Sequence, residues 1–355
     1  RRRPTPRDPI VKAPTPSSAE MQALRPSGPI GRLFDRIAVA TKVPFRVVFA
    51  DGSEFRQGTA DPAFTLVFRS RAAQWRVLRD GHIGFLEGYF DGGIDIEGDL
   101  GLMFRVGMDA GLDTKPRRIV QLRNRWLERR ESNRTIAQAK ANARFHYGLG
   151  EPFYRLWLDL PSMMYTCAYW SEGTKTLEEA QRNKMDHVCR KVRLAAGETF
   201  VDVGTGWGGL LFHAWERYGA LGTGVNATTE QVAELAAEIA RRNLGDRIRV
   251  VECDFREIPG RYDKLLSIGT LEHAGRDQLP EVIRAHADAL KPGGLGVIHF
   301  IGHVGVRETE YFIRKHVFPG GWIPSLAEAI DQMERCGLEV VDVENLRRHY
   351  ALTLD

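Results

Sequence analysis

The run Val201-Asp202-Val203-Gly204-Thr205-Gly206-Trp207-Gly208-Gly209 decides the fold. Residues 199–203 are β-branched and apolar enough to read as a strand, and 208–218 reads as a helix. The glycines between them allow a tight turn and let a ligand approach without a Cβ in the way. Outward from that turn, 222–225 reads as a second strand and 229–242 as a helix. Strands at 248–252 and 264–268, a helix at 278–290 and a strand at 294–300 follow. Such alternation predicts a parallel sheet covered on both faces. Ligands bind sheets of this kind at the carboxyl ends of the strands. No internal repeat is visible.

The glycine spacing is compatible with two ligands. Gly204, Gly206 and Gly209 satisfy GxGxxG, a dinucleotide fingerprint. Gly204, Gly206 and Gly208 satisfy the GxGxG of S-adenosylmethionine-dependent methyltransferases. A dinucleotide site wants Asp or Glu about 20 residues on, for the ribose, but the second strand ends in Asn226-Ala227-Thr228-Thr229. The third ends in Glu252-Cys253-Asp254-Phe255, a carboxylate and a ring suited to the edge and face of an adenine. Both features favour S-adenosylmethionine over a nicotinamide cofactor or a glycine turn with no ligand.

The chain has 355 residues, enough for two domains of about 150 each. Hydrophobic content of 43% and charged content of 27% fit a soluble globular protein. No apolar run approaches the roughly 18 residues of a membrane-spanning helix. The four cysteines (Cys167, Cys189, Cys253, Cys336) form no CxxC pair and have no metal-like spacing with histidine. With no export signal, this suggests a reducing, cytoplasmic compartment and no metal.

Charge is informative by region. Residues 1–25 carry six Lys/Arg against Asp8 and Glu20, which equals the net +4 of the whole chain, and are rich in proline. We read 1–28 as a flexible basic arm. Residues 29–113 show short apolar stretches, Phe45-Arg46-Val47-Val48-Phe49 and Phe64-Thr65-Leu66-Val67-Phe68, with turn signals at Asp51-Gly52 and Asp91-Gly92-Gly93 and a helical pattern at 72–80. This predicts a small α+β domain. Residues 114–150 read as a basic helical linker: 114–145 holds ten Lys/Arg against Glu128 and Glu131, with Ile119, Leu122 and Trp126 at helical spacing. Such a helix suits an anionic membrane surface; a solvated helix packed by one apolar stripe is the plainer alternative. Nucleic acid is disfavoured, because the nearby aromatics do not interleave with the basic residues as a stacking platform would.

Several motifs in order resemble one family. Tyr165-Thr166-Cys167-Ala168-Tyr169-Trp170 looks like its YSCAYW segment, and 202–209 like its D-x-G-C-G-W-G-G loop, with Thr205 in place of cysteine. Gly224-Val225-Asn226-Ala227-Thr228-Thr229-Glu230-Gln231 is similar to GVTxSxEQ, and Gly269-Thr270-Leu271-Glu272-His273-Ala274-Gly275 to GMFEHVG. His299-Phe300-Ile301-Gly302 and Val317-Phe318-Pro319-Gly320-Gly321 follow in register. The family is that of the cyclopropane-fatty-acid-phospholipid synthases and mycolic acid cyclopropane synthases. The resemblance covers 150–355 strongly and the N-terminal domain loosely.

It implies a Rossmann-like class I methyltransferase domain over 151–355, with a mainly parallel seven-stranded sheet, beside a small N-terminal domain that helps hold lipid. It implies methyl transfer from S-adenosylmethionine to the cis double bond of an acyl chain within a phospholipid. The alkene is a poor nucleophile and becomes positively charged as it attacks, so the site must be dry and must tolerate a cation. Tyr169, Trp170 and Tyr350 are candidate aromatic faces for that charge. Ring closure then requires a base. In the family this is a bicarbonate ion, held by groups that fall on Cys167, Glu272, His299, Ile301 and Tyr350. Cofactor binding is expected at Tyr165, Thr166, Asp202, Gly204, Thr205, Gly206, Gly208, Asn226, Thr228, Gln231, Asp254 and Phe255.

Taken singly, Cys167 reads as a small buried apolar residue, His299 as a core histidine and Tyr350 as a surface residue; joint occurrence in family order argues for the site. The chain stops at Leu354-Asp355 where the family continues with further helices, so its C-terminal end is expected to be truncated. The expected partners are a phospholipid acyl chain and an anionic membrane surface at the inner, cytoplasmic face, with a homodimer left open. A relative that ends in a methylene- or methyl-branched chain would share every motif. A non-catalytic lipid-binding scaffold would not need the intact glycine loop.

Overall fold

The structure, a computed structural model, describes residues 28–112, 118–147, 149–305 and 307–355. The expected basic arm, apart from Gly28, lies outside the described residues, as do 113 of the expected small domain and 114–117 and 148 of the expected linker. The chain divides between Leu122 and Arg123 into two compact units.

The first unit runs through α1 (Pro29–Ala40), β1 (Phe45–Val48), β2 (Glu54–Gln57), β3 (Phe64–Phe68), α2 (Arg71–Asp80), α3 (His82–Phe90), β4 (Ile94–Gly98) and α4 (Leu100–Asp109). Its mixed sheet has the order β2-β1-β3-β4, with β1 and β3 parallel and both outer pairs antiparallel. Phe45 and Val47 alternate inward and pack with Phe34, Phe55, Phe64 and Phe68 into one core. Strand β2 is faint in the sequence because Phe55 is its sole apolar residue; Glu54 pairs instead with Arg46 on the neighbouring strand.

Helix α5 (Arg118–Arg130) leads into the second unit, which continues through α6 (Ile136–Tyr147), α7 (Glu151–Tyr154) and α8 (Leu177–Lys191). Then come β5 (Thr199–Val203), α9 (Gly209–Tyr218), β6 (Leu221–Asn226), α10 (Thr229–Arg241), β7 (Ile248–Glu252) and β8 (Tyr262–Ile268). A short 3-10 turn (Leu271–His273), α11 (Leu279–Ala289), β9 (Leu290–His299), α12 (Tyr311–His316), α13 (Leu326–Arg335) and α14 (Arg347–Leu354) complete it. The sheet order is β7-β6-β5-β8-β9, every pair parallel. The chain builds outward from β5 to β7, then crosses to β8 on the other side. This topological switch opens a crevice at the carboxyl end of β5. Phe200, Leu210, Leu211 and Leu235 are almost fully buried between sheet and helices, each contributing about 1.5–3 kcal/mol by removal from water.

Two expectations change. The sheet has five strands among the described residues rather than seven. Residues 338–346 carry the remaining strand-like pattern but join no ladder: Leu338 and Val340 rest on the core, while Val341 and Val343 stay exposed. The stretch read as a linker is also not one throughout. Asn124 Nδ2 donates to the Thr309 carbonyl at 2.7 Å, Asn133 Nδ2 to the His273 carbonyl at 2.6 Å, and Lys140 pairs with Glu252 at 3.0 Å. From Arg123 onward it is part of the second unit's body.

Candidate functional site

The turn after β5 places Gly204, Gly206 and Gly208 at φ of +77°, +56° and +84°, a region that favours glycine. The three differ in what surrounds them. A Cβ on Gly206 meets nothing within 4 Å, whereas one on Gly208 would lie 2.4 Å from Leu235 Cδ1 of α10. Gly206 thus keeps the crevice open, and Gly208 lets the turn pack on α10. Of the twelve residues expected to bind the cofactor, Gly208 is the one that does not line the cavity at the strands' carboxyl ends. Tyr165, Thr166, Asp202, Gly204, Thr205, Gly206, Asn226, Thr228, Gln231, Asp254 and Phe255 all do.

At the end of β6, Asn226 Nδ2 donates to Gln231 Oε1 at 3.0 Å, and Asn226 Oδ1 accepts from the Thr228 N–H at 3.0 Å. Gln231 Nε2 and Thr228 Oγ1 are buried without a partner among the described residues. Orphaned polar groups cost about 1–3 kcal/mol each, and a ligand bearing hydroxyls and a carboxylate, as S-adenosylmethionine does, would satisfy them. After β7, the fully buried Asp254 is not a free carboxylate. Arg256 Nε and Nη2 hold its two oxygens at 2.6 and 2.9 Å, and the Arg256 N–H adds a bond at 3.0 Å. A base edge there would meet lone pairs of a carboxylate that is already neutralised.

Sequence reasoning missed part of the wall. Asn133, Ala139, Asn142 and Ala143, from the supposed linker, line the cavity, and Asn142 Nδ2 donates to Asn133 Oδ1 at 2.6 Å. Two asparagines in an otherwise basic stretch were the available signal. Lys184 on α8 was missed as well. It is 1% exposed, and its ammonium donates to Thr166 Oγ1 at 2.6 Å. Burial pulls Lys184 down to about 8, against the opposing pull of Asp159, Cys167 and Asp202, and pushes Asp202 up to about 6.

The second group of expected residues gathers around Glu272, in the 3-10 turn after β8. The Ile301 N–H donates to Glu272 Oε1 at 2.5 Å, and the Trp322 N–H to the Glu272 carbonyl at 3.1 Å. Oε2 is buried with no partner among the described residues. Burial pushes this carboxyl up to about 7. Helix α14 brings in Tyr350, whose hydroxyl is raised by burial and faces Glu272, Tyr165 and Cys167. The Cys167 thiol, also raised by burial, lies 3.9 Å from the Leu346 carbonyl at the start of that helix. His299, at the end of β9, approaches from the side of Lys184, and burial draws its imidazole down to about 4. The structure therefore joins Glu272 and Ile301 by a hydrogen bond, brings Tyr350 within electrostatic reach of Glu272 and Cys167, and couples both His299 and Cys167 to Lys184. The unsatisfied Oε2, with the Tyr350 phenol within electrostatic reach, fits a small oxyanion that carries a proton.

One aromatic expectation fails. The Tyr169 ring is sandwiched between His187 and His349, with centroids 4.2 and 4.5 Å away, so neither face is available to a developing cation. Trp170 donates through Nε1 to Thr353 Oγ1 at 3.2 Å, fastening α14. Tyr165, packed edge-on against Trp157 at 5.0 Å, lines the cavity and presents a ring there.

Comparison with known proteins agrees with the fold. Residues 134–355 match the family described as mycolic acid cyclopropane synthetase, and 34–109 match a domain of unknown function. A probable fatty acid methyltransferase of Pseudomonas putida is 34% identical, over 88% of this chain and 79% of its own length. Tuberculostearic acid methyltransferase UfaA1 of Mycobacterium tuberculosis is 31% identical, over 93% of this chain and 81% of its own. The solved cyclopropane synthase MmaA2 of Mycobacterium tuberculosis superposes with a TM-score of 0.57 at 28% identity, over 61% of this chain and 80% of that one.

Proposed function

Because the chain belongs to the cyclopropane synthase family of S-adenosylmethionine-dependent, class I methyltransferases, we propose that it methylates the cis double bond of an unsaturated acyl chain in a membrane phospholipid and closes a cyclopropane ring, with bicarbonate as the base. When bound, S-adenosylmethionine supplies the electrophilic methyl and bicarbonate accepts the proton. The observation that carries this reading is the buried, unpartnered Glu272 Oε2, within electrostatic reach of the Tyr350 phenol.

The chain's own groups are suited to that work. With its carboxyl near 7, Glu272 can share a proton with an anion at its free oxygen while Ile301 fixes the other. Cys167 and Tyr350 keep their protons and donate. His299 stays neutral, so it can donate from one nitrogen and accept at the other. Gly206 leaves room for the cofactor, and Gln231 and Thr228 offer it unpaired polar atoms. The ring of Tyr165, which lines the cavity, offers a face that tolerates positive charge.

We place the reaction at the inner face of a membrane, on an anionic surface. Support comes from α5, where Ile119, Leu122 and Trp126 are exposed beside exposed arginines rather than packed inward. This is the arrangement of an interfacial helix. Among the described residues, no helix is long and apolar enough to cross a membrane. A second reading, a methylene- or methyl-branched product, is favoured by the likeness over nearly the whole chain to a tuberculostearic acid methyltransferase. Incubation with labelled S-adenosylmethionine and vesicles of unsaturated phospholipid tests both. Mass spectrometry should find acyl chains heavier by one CH2 unit for a ring or a methylene branch, which fragmentation separates, and by CH4 for a saturated methyl branch when a hydride donor is supplied. No label in the acyl chains would overturn the assignment.

A further inference from the structure

Helix α8 holds the segment that carries Thr166 and Cys167 from a single face. Gln181 Nε2 donates to the Met164 and Thr166 carbonyls at 3.2 and 2.9 Å, and one turn on, Lys184 Nζ donates to Thr166 Oγ1 at 2.6 Å. Thr166 lines the cofactor cavity, while its neighbour Cys167 belongs to the group around Glu272. The titratable groups that face the Lys184 ammonium are the Asp159 and Asp202 carboxyls, the Cys167 thiol and the His299 imidazole. Asp202 lines the cofactor cavity too. One buried cation is thus bonded to the wall of the cofactor cavity and electrostatically coupled to Cys167 and His299 of the second group.

We propose that Lys184 is a positioning residue: an ammonium anchored on Thr166 that supplies positive charge to the anion pocket and locks that pocket to the wall of the cofactor cavity. This rests on the reading of the Glu272 group as an anion site. A buried ammonium is costly unless opposite charge accompanies it, and Asp159 and Asp202 provide that here. The same charge repels an imidazolium, so it adds to burial in keeping His299 neutral, against the opposing pull of the Glu344 carboxylate that also faces the ring. An anion held by Cys167 and His299 would lie within its field, in a low-dielectric interior where such attraction is strong.

The test reads His299 rather than turnover. In protein labelled with 13C-histidine, the His299 resonance, assigned by its loss in His299→Asn, is titrated in wild type and in Lys184→Met, which keeps chain length but removes the charge and the donor. The midpoint should rise in Lys184→Met by about one pH unit, back toward the ordinary histidine range. An unchanged midpoint in a folded variant overturns the proposal. Should Lys184→Met fail to fold, wild-type protein labelled with 13Cε-lysine decides: adding bicarbonate should shift the Lys184 resonance, and no shift overturns the proposal. Acyl methylation in the vesicle assay is read separately, so failure of the proposed function and failure of the Lys184 role are distinguishable.

Discussion

Ile301 and Glu272 stand 29 positions apart, yet the backbone N–H of the first donates to Oε1 of the second at 2.5 Å. The bond ties the loop after β9 to the turn after β8, two neighbouring parallel strands, and aims a carboxyl whose other oxygen has no partner among the described residues. An apolar residue contributes here only through its main chain. Replacing the Ile301 side chain conservatively should therefore matter less than any change at Glu272.

Glu272→Gln keeps the size and the acceptor toward Ile301 but removes the shared proton. We expect kcat to fall by about 10²–10⁴-fold, as for a lost general-base function, with little change in S-adenosylmethionine affinity by calorimetry. Added bicarbonate should partly restore the rate. Normal turnover of the variant in bicarbonate-depleted buffer would remove the pocket from the mechanism.

The same carboxyl makes stability depend on pH. Its value in the fold, about 7, lies above the ordinary 4.5, so the native state retains a proton that the unfolded chain releases. The stabilisation is complete below the ordinary value and is lost as the pH rises through 7, a change on the order of 3 kcal/mol. Glu272→Gln lacks this dependence. Thermal unfolding from about pH 5 to about pH 8 should show the variant gaining on wild type as pH rises; parallel curves would contradict the burial argument.

Gly206 and Gly208 should fail in different ways. Gly206→Val puts a branched side chain into the open crevice at φ +56°, so cofactor binding should vanish at a folding cost of about 1–3 kcal/mol. Gly208→Ala drives a methyl into Leu235 and should lower the melting temperature more than it lowers affinity. Calorimetry with S-adenosylmethionine, paired with thermal unfolding, separates the two; equal affinity losses would mean that Gly208 also meets the ligand.

Membrane attraction should be electrostatic. The basic helix α5, with its exposed arginines, should contribute roughly 1 kcal/mol per well-placed basic residue toward anionic headgroups. Co-sedimentation with anionic vesicles should fall as salt shortens the screening length. Replacing Trp126 by Glu should weaken it further, since that ring is exposed. Binding indifferent to both salt and headgroup charge would reduce α5 to an ordinary solvated helix.

The alternation of strand and helix after Glu198, the glycine turn and the acid-free end of β6 were legible in the chain, because backbone periodicity and turn chemistry are local properties. So were Cys167, Glu272, His299 and Tyr350 as chemical types, through their order along the family's motifs. What the sequence could not reveal depends on which distant atoms meet. Residue order does not say that Arg256 neutralises Asp254, that two histidines cover both faces of Tyr169, or that 338–346 finds no strand to pair with. It does not say that Lys184, in a helix rich in charged residues, turns inward to Thr166 instead of out to water. Burial of a charge is decided by the packing of α8 against the sheet, and only that packing converts an ordinary lysine and an ordinary glutamate into groups with shifted proton affinity.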